Sequence, residues 1–286
     1  MEKFVLSTDT CCDELKSNLK KNKTEYIKMC YIHEGEIYED DFDSIEEYKF
    51  FYDEMKKGKQ FSTTGLNPYS LKEYFLEIIE RNQKDIVHIA LSSGLSGTCN
   101  ITKQVADEIN QSSQFKVYVV DSLSATQGQN ALVCYGQMLR DQGKSAQETF
   151  EVLSKAAEKL QVHFFLTDLE TLKRGGRISG AAAAVAKVMQ IRPVLTFNEK
   201  GELTVIEKAM GSKKAIRSLL DKFKNFDFET PVPVYLAYAG DTTNAEELKT
   251  LLEEKYGITN IILGPVGPVV GSHTGPSLTG LIFIGK

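Results

Sequence analysis

One stretch constrains this chain more than any other: Ile86-Val-His-Ile-Ala-Leu-Ser-Ser-Gly-Leu-Ser-Gly-Thr98. Residues 86–90 are mostly apolar and partly β-branched, the composition of a short buried strand. Polarity then switches to Ser92, Ser93, Gly94, Ser96, Gly97 and Thr98. Beyond Thr98, the spacing of Ile101, Val105, Ala106 and Ile109 lines one face of a helix. A strand, a Ser/Gly turn and a helix start together form an anion cradle. Free N–H groups of the first helical turn point outward, the helix dipole adds partial positive charge, and glycine lets a ligand approach the backbone. The anion can be phosphate or carboxylate. A plain connection whose hydroxyls cap a helix accounts for the same residues.

The rest of the chain repeats the strand–helix alternation. Residues 3–9 read as a strand ending in Ser7, Thr8 and Asp9, and residues 116–120 as a strand ending in Asp121. Residues 25–39 suggest a hairpin turning at Glu34-Gly35, and residues 61–68 a second hydroxyl-rich connection containing Thr63 and Thr64. Helical spacing runs through Ile45–Met55, Leu71–Ile79, 125–142 and 145–160. Such alternation predicts parallel strands with crossover helices, whose carboxyl ends share one crevice. From about Val162 the pattern changes. A strand leads to the basic turn Lys173-Arg-Gly-Gly-Arg177, a small-residue helix over 181–189, paired strands about Gly201, and two further helices alternating with strands. A polar loop carries His273, and a closing strand follows. The expected fold is α/β with two domains: residues 1–160, mostly parallel, and residues 161–286.

Composition removes several classes of function. A net charge of −5 argues against nucleic acid as a partner. No apolar run reaches the length of a membrane span and the N-terminus lacks a signal-peptide pattern, so a cytoplasmic location is expected. The five cysteines form no Cys-x-x-Cys pair and the four histidines are scattered, so no metal site is expected. Cys99, just inside the helix after the Ser/Gly turn, reads as a packing residue more readily than as an activated thiol.

Three pieces of candidate chemistry need weighing. Gly143-Lys144-Ser145 imitates the end of a phosphate-binding loop, but Met138 stands where that motif needs its first glycine, and the tripeptide joins two helices. A serine esterase or thioesterase would use Ser96 as nucleophile, His273 as base and Asp121 as orienter, yet Gly94-Leu-Ser-Gly97 is one residue short of the nucleophile elbow. His273 sits among Gly271, Ser272, Thr274 and Gly275, where a ligand contact is easier to explain than packing. Arg174 and Arg177 flank two glycines, which suits either an anion or partner contact or an ordinary basic helix end.

Taken together, the motifs resemble the DegV family. The resemblance is carried by Ser7-Thr8-Asp9, the Thr63-Thr64 loop, the loop over 92–98, Leu172-Lys-Arg-Gly-Gly-Arg-Ile178, Lys213-Lys-Ala215 and His273-Thr-Gly-Pro-x-x-x-Gly-Leu281, in that order along nearly the whole chain. The resemblance implies a two-domain α/β protein of bacterial type that binds a long-chain fatty acid between its domains and has no catalytic residues of its own. It further implies a separate fatty-acid kinase catalytic subunit that phosphorylates the carboxylate for phospholipid synthesis, with transient membrane contact. Carried onto this chain, the carboxylate contacts are Thr63, Thr64, Ser93, Gly94, Ser96, Gly97 and His273. Arg174 and Arg177 are candidates for the head group or the partner. The bound fatty acid is the expected ligand; no cofactor is expected. A phospho-ligand binding module using the same helix start is the other non-enzymatic reading. Two departures stand out: Lys208-Ala209-Met210 replaces a Lys-x-Arg pattern, and Gly275-Pro276-Ser277 replaces Gly-Pro-Gly.

Overall fold

The computed structural model describes residues 2–167, 169–178 and 190–286. Its first sheet is wholly parallel, in the order β2 (Thr24–Ile27), β1 (Phe4–Asp9), β6 (Asp85–Ala90), β7 (Val117–Asp121). Both faces are covered, and the period-2 alternation of strand side chains divides the apolar residues between them. Val5, Ile86 and Ala90 pack on α3 (Pro68–Asn82) and α4 (Thr98–Ser112). Phe4, Leu6, Val87 and Ile89 face α5 (Gln127–Asp141) and α6 (Ala146–Lys159). Ser145, from the Gly-Lys-Ser tripeptide, caps α6 in a capping box with Glu148, which is all that motif does here.

A second sheet has the order β10 (Leu203–Met210), β9 (Ile191–Phe197), β8 (Leu160–Phe165), β13 (Thr279–Ile284), β11 (Val234–Tyr238), β12 (Ile261–Pro265). Only β11 and β12 run parallel. One face carries α8 (Ser212–Lys222) and α9 (Thr243–Tyr256), sealed by Leu219, Phe223, Leu236, Leu248 and Phe283. The opposite face, with Val162, Phe164, Tyr235 and Ile282, turns toward α5 and α2 (Ile45–Lys56).

A small antiparallel sheet, β4 (Glu36–Glu39), β3 (Cys30–His33), β5 (Phe61–Thr64), joins α2 as a separate layer. Here the structure corrects three expectations. Residues 24–27 extend the parallel sheet instead of forming a hairpin arm, so the hairpin is only β3–β4; Glu34 (φ 52°) and Gly35 (φ 86°) make its turn as expected. Residues 61–64, expected in a connection, pair with β3 because that sheet offers them a free edge. His273 lies in the last turn of a helix, α10 (Pro268–Thr274), and not in a loop. The expected small-residue helix over 181–189 lies outside the described residues.

Candidate functional site

The site is assembled from the carboxyl end of the parallel sheet. Asp9 ends β1 fully buried and accepts hydrogen bonds from the N–H groups of Leu91 (2.7 Å) and Cys11 (3.0 Å) and from Gln129 Nε2 (3.1 Å). Burial pushes its carboxyl up, while those donors pull it the other way. This one carboxylate ties the loop after β6 to the end of β1. On the loop's far side, the Ser93 N–H donates to Asp121 Oδ1 (3.1 Å). Ser92 Oγ donates to the carbonyl of Gly201 (2.8 Å), in the turn between β9 and β10. Gly94 and Gly201 are in backbone contact there, and a Cβ on Gly94 would overlap the Gly201 carbonyl. Gly201 (φ 70°) needs glycine on conformational grounds as well.

Between this loop and the second sheet lies a cavity with a mostly apolar wall. Met29, Leu91, Leu95, Val162, Phe164, Phe197, Leu203, Val269 and Ile282 contribute to it. Its polar lining includes Thr63, Thr64, Ser96, Thr126, Arg177 and His273. Thr63, His273 and Arg177 meet in one corner. His273 Nε2 and Thr63 Oγ1 are hydrogen-bonded at 2.8 Å. Arg177 Nε donates to the Leu95 carbonyl (3.2 Å), which brings the turn after α7 (Glu170–Arg174) against the Ser/Gly loop. Ser96 Oγ donates to Thr98 Oγ1 (3.0 Å), whose oxygen also lies 3.7 Å from where a Cβ on Gly65 would be.

The electrostatics suit an anion. Among the described residues no carboxylate pairs with Arg177, and its guanidinium donates there to the carbonyls of Leu95 and Gly175. His273 has its pKa lowered to about 4, first by burial and then by the Arg177 charge, so its imidazole is neutral at pH 7. Its Nδ1 is buried and has no hydrogen-bond partner among the described residues. Gly175 packs on that ring edge so closely that a Cβ would collide with Nδ1. The backbone below holds α10 in place: Tyr52 donates its hydroxyl to the Val266 carbonyl (2.8 Å), and Gln127 Nε2 donates to the Pro265 carbonyl (3.0 Å). Thr126 adds a strained element to the wall, with φ 53° and ψ −134°, a region β-branched residues avoid. Its N–H donates to the Cys11 carbonyl (2.7 Å).

The sequence and the fold both match known proteins. The model of the DegV family, described as uncharacterised proteins of that family, matches residues 3–286. The chain belongs to the DegV family. A DegV domain-containing protein of Clostridium perfringens is 33% identical, with the alignment covering 100% of this chain and 98% of the other. Among solved structures, a fatty-acid-binding DegV family protein of Thermus thermophilus superposes with a TM-score of 0.87 at 25% identity, over 99% of this chain and 100% of that one. The Fak B3 protein of Streptococcus pneumoniae, solved with linoleic acid, shares the fold at a TM-score of 0.83 and 19% identity, over 99% of this chain and 100% of that one.

In this DegV chain the residues singled out from the sequence separate into two groups. Thr63, Thr64, Ser96, Arg177 and His273 line the cavity; Ser93, Gly94, Gly97 and Arg174 do not. Ser93 turns its backbone to Asp121, and Gly94 serves the contact with Gly201. Gly97 is the N-cap of α4, with open space where a Cβ would stand. Arg174 is exposed in the last turn of α7, the position that complements a helix dipole. Thr126, Leu91 and Val269 are not among the site residues expected from the sequence. Asp9 is expected there only as the acid ending a strand at the shared crevice and as part of the Ser7-Thr8-Asp9 motif, not as the group that ties the loop after β6 to β1.

A Ser96–His273–Asp121 relay is not formed. His273 bonds to Thr63, Ser96 to Thr98, and Asp121 Oδ1 to the N–H groups of Ser93 and Leu123. Cys99 is buried with its thiol pushed up to about 12 by burial and the nearby Asp121 charge, as a packing residue would be. No cluster of three His, Cys, Asp or Glu side chains able to hold a metal occurs among the described residues, and no helix among them is long and apolar enough to cross a membrane.

Proposed function

We propose that this protein binds a long-chain fatty acid in the cavity and presents it to a separate fatty-acid kinase, without catalysing a reaction itself. The observation that carries the reading is the pairing of an apolar wall with Arg177, which has no carboxylate partner among the described residues, beside the His273–Thr63 hydrogen bond. A fatty acid needs both parts. Each buried methylene contributes about 0.8 kcal/mol, so the tail supplies most of the affinity. The carboxylate, costly to desolvate alone, needs charged or neutral donors around it. Arg177 supplies the charge, and Thr63, Ser96 and His273 supply donors once the Thr63–His273 bond rearranges around the ligand. Thr64 and the backbone near Ser93, Gly94 and Gly97 belong to the wider frame of the head-group site.

The fatty-acid-binding relative from Thermus thermophilus supports the lipid part of this reading. The kinase is what the family resemblance implies, and a cytoplasmic site of action goes with it. We further propose two domains, residues 1–160 and 161–286, with the lipid between them; a cavity wall drawn from the loops after the parallel strands and from the mixed sheet supports this division.

Mass spectrometry of the purified protein under native conditions, with an organic extract run alongside, tests the proposal. A stoichiometric fatty acid retained through purification, or taken up on addition, is the expected result. A protein that arrives empty and takes up none overturns it.

A further inference from the structure

The layer formed by β3, β4, β5 and α2 has a surface that the cavity does not use. Residues 34–54 carry ten acidic side chains (Glu34, Glu36, Glu39, Asp40, Asp41, Asp43, Glu46, Glu47, Asp53, Glu54) and one basic one, Lys49. Asp40 is buried against Lys16; Glu39 and Asp41 share Lys28; Glu54 pairs with Lys57 and Lys59. Glu36, Glu46 and Glu47 are exposed and have no ion pair among the described residues. Set into this acidic face is a groove lined by aromatic rings, by Glu46 and Glu47, by the Glu54–Lys59 ion pair and by His33. Phe50 (67% exposed) and Tyr38 (44% exposed) stand at its mouth, with half-buried Tyr31, Phe42 and Phe61 behind them. Tyr31 stacks on Tyr38 (5.4 Å between centroids) and meets Phe42 and Phe51 edge-on.

Single exposed apolar residues are ordinary, but two at the mouth of a concave aromatic slot are a docking feature. The rim decides the occupant. β4 is an edge strand, exposed along its length, so its outer backbone groups are open to pairing. A second copy placed against it would set Glu36 and Glu39 beside the same residues of its twin, and like charges facing each other are destabilising. An anionic bilayer is repelled in the same way. A basic polypeptide is attracted.

We propose that this groove docks a basic segment of a partner protein, which lays an apolar side chain between Tyr38 and Phe50 and its cationic side chains along Glu36, Glu46 and Glu47. The position gives the contact a use. Phe61 is two residues before Thr63 on β5, and Phe51 lies against Gly271 in the helix that carries His273. A docked partner would stand beside the cationic corner of the cavity. That coupling to cargo rests on the lipid-carrier reading; the docking itself does not.

The test uses the full chain and three fluorescein-labelled dodecapeptides, alternating Lys and Leu, Lys and Ser, or Glu and Leu, followed by fluorescence anisotropy at low and physiological salt. Saturable binding of the Lys/Leu peptide is expected, at least tenfold tighter than the Lys/Ser peptide. It should weaken at least tenfold in Phe50→Ser, in Tyr38→Ser and in the double variant Glu46→Gln/Glu47→Gln, all at solvent-exposed positions. Fatty-acid uptake by these variants should be unchanged. If the Lys/Leu and Lys/Ser peptides bind equally, the surface is only a charge patch and the proposal fails. Indifference to all the substitutions overturns it too, as does binding to vesicles of phosphatidylglycerol. A concentration-dependent dimer in sedimentation that Phe50→Ser abolishes would make the occupant a second copy, contrary to the proposal. Loss of fatty-acid binding by the unsubstituted protein would overturn the lipid reading and leave the docking result standing.

Discussion

On the proposed reading, Arg177 and His273 would act on the carboxylate in different ways. Arg177 is a permanent cation facing backbone carbonyls, and His273 is a neutral ring hydrogen-bonded to Thr63. Removing either should weaken fatty-acid binding without unfolding the protein. Hydrogen bonds to a charged group contribute about 1.5–3 kcal/mol, so Arg177→Met and His273→Ala should each raise the Kd about tenfold to a hundredfold, read by displacement of a fluorescent fatty acid. An unchanged Kd in both would remove the carboxylate from this corner. Gly175→Ala should mimic His273→Ala, because its methyl would push the imidazole out of place. The buried histidines also respond to acid. His163 has its pKa lowered to about 4 by burial, with a smaller contribution from the Lys222 charge. The unfolded chain therefore takes up a proton first, and the stability His163 contributes is present above about pH 6.5 and lost as pH falls toward 4. In paired denaturant titrations at pH 7 and pH 4.5, His163→Gln should lose less stability on acidification than the parent; an equal loss would mean that His163 titrates normally.

The contacts that shape the cavity are made by whole elements. The β9–β10 turn is fastened to the Ser/Gly loop through Ser92 Oγ and the glycine pair Gly94 and Gly201. Since Phe197 and Leu203 of that hairpin line the cavity, the fastening also holds part of the wall. Gly94→Ala should cost about 1–3 kcal/mol by overpacking. It should also speed fatty-acid release, measured by stopped-flow transfer to an acceptor such as albumin; a release rate unchanged alongside a lowered Tm would make the fastening purely structural. Helix α10 depends similarly on Tyr52, whose hydroxyl bonds the Val266 carbonyl just before the helix. Tyr52→Phe leaves that buried carbonyl without its donor, a loss of about 1–3 kcal/mol. Because the ring itself remains, the fold should persist while the His273 imidazole NMR signals shift.

For the molecule as a whole, the proposed ligand would be a structural component. The cavity draws wall residues from the parallel sheet's loops, from the mixed sheet and from the small antiparallel layer. A ligand that binds only the folded state stabilises it by RT ln(1 + [L]/Kd), about 2.7 kcal/mol at a hundredfold excess over Kd. Delipidated protein should therefore melt several degrees lower than protein saturated with a C16 or C18 acid, and a saturated alkane of the same length should recover only part of the difference. Full recovery by the alkane would show that the cationic corner contributes nothing.

Much of this was legible without coordinates because it is written in local patterns. The apolar run from Ile86 to Ala90 followed by hydroxyls and a 3.6-residue repeat can only be a strand, a turn and a helix. The motif order points to the family and, through it, to Thr63, Ser96 and Arg177, while His273 is the one polar residue with little packing reason for its placement. Local pattern could not tell a residue that faces the cavity from its neighbour one position away. Ser93 and Ser96 read alike, yet one is turned by Asp121 and the other by the start of α4. Nor could it give Gly94 its partner Gly201, Tyr52 its carbonyl at Val266, or residues 61–64 their place in a sheet, since each depends on a group far away in the chain. The sequence by itself determined which elements form and which kinds of side chain are available to a ligand. Only the tertiary structure decided which of them meet, because that rests on contacts between segments whose separation along the chain no short-range preference can encode.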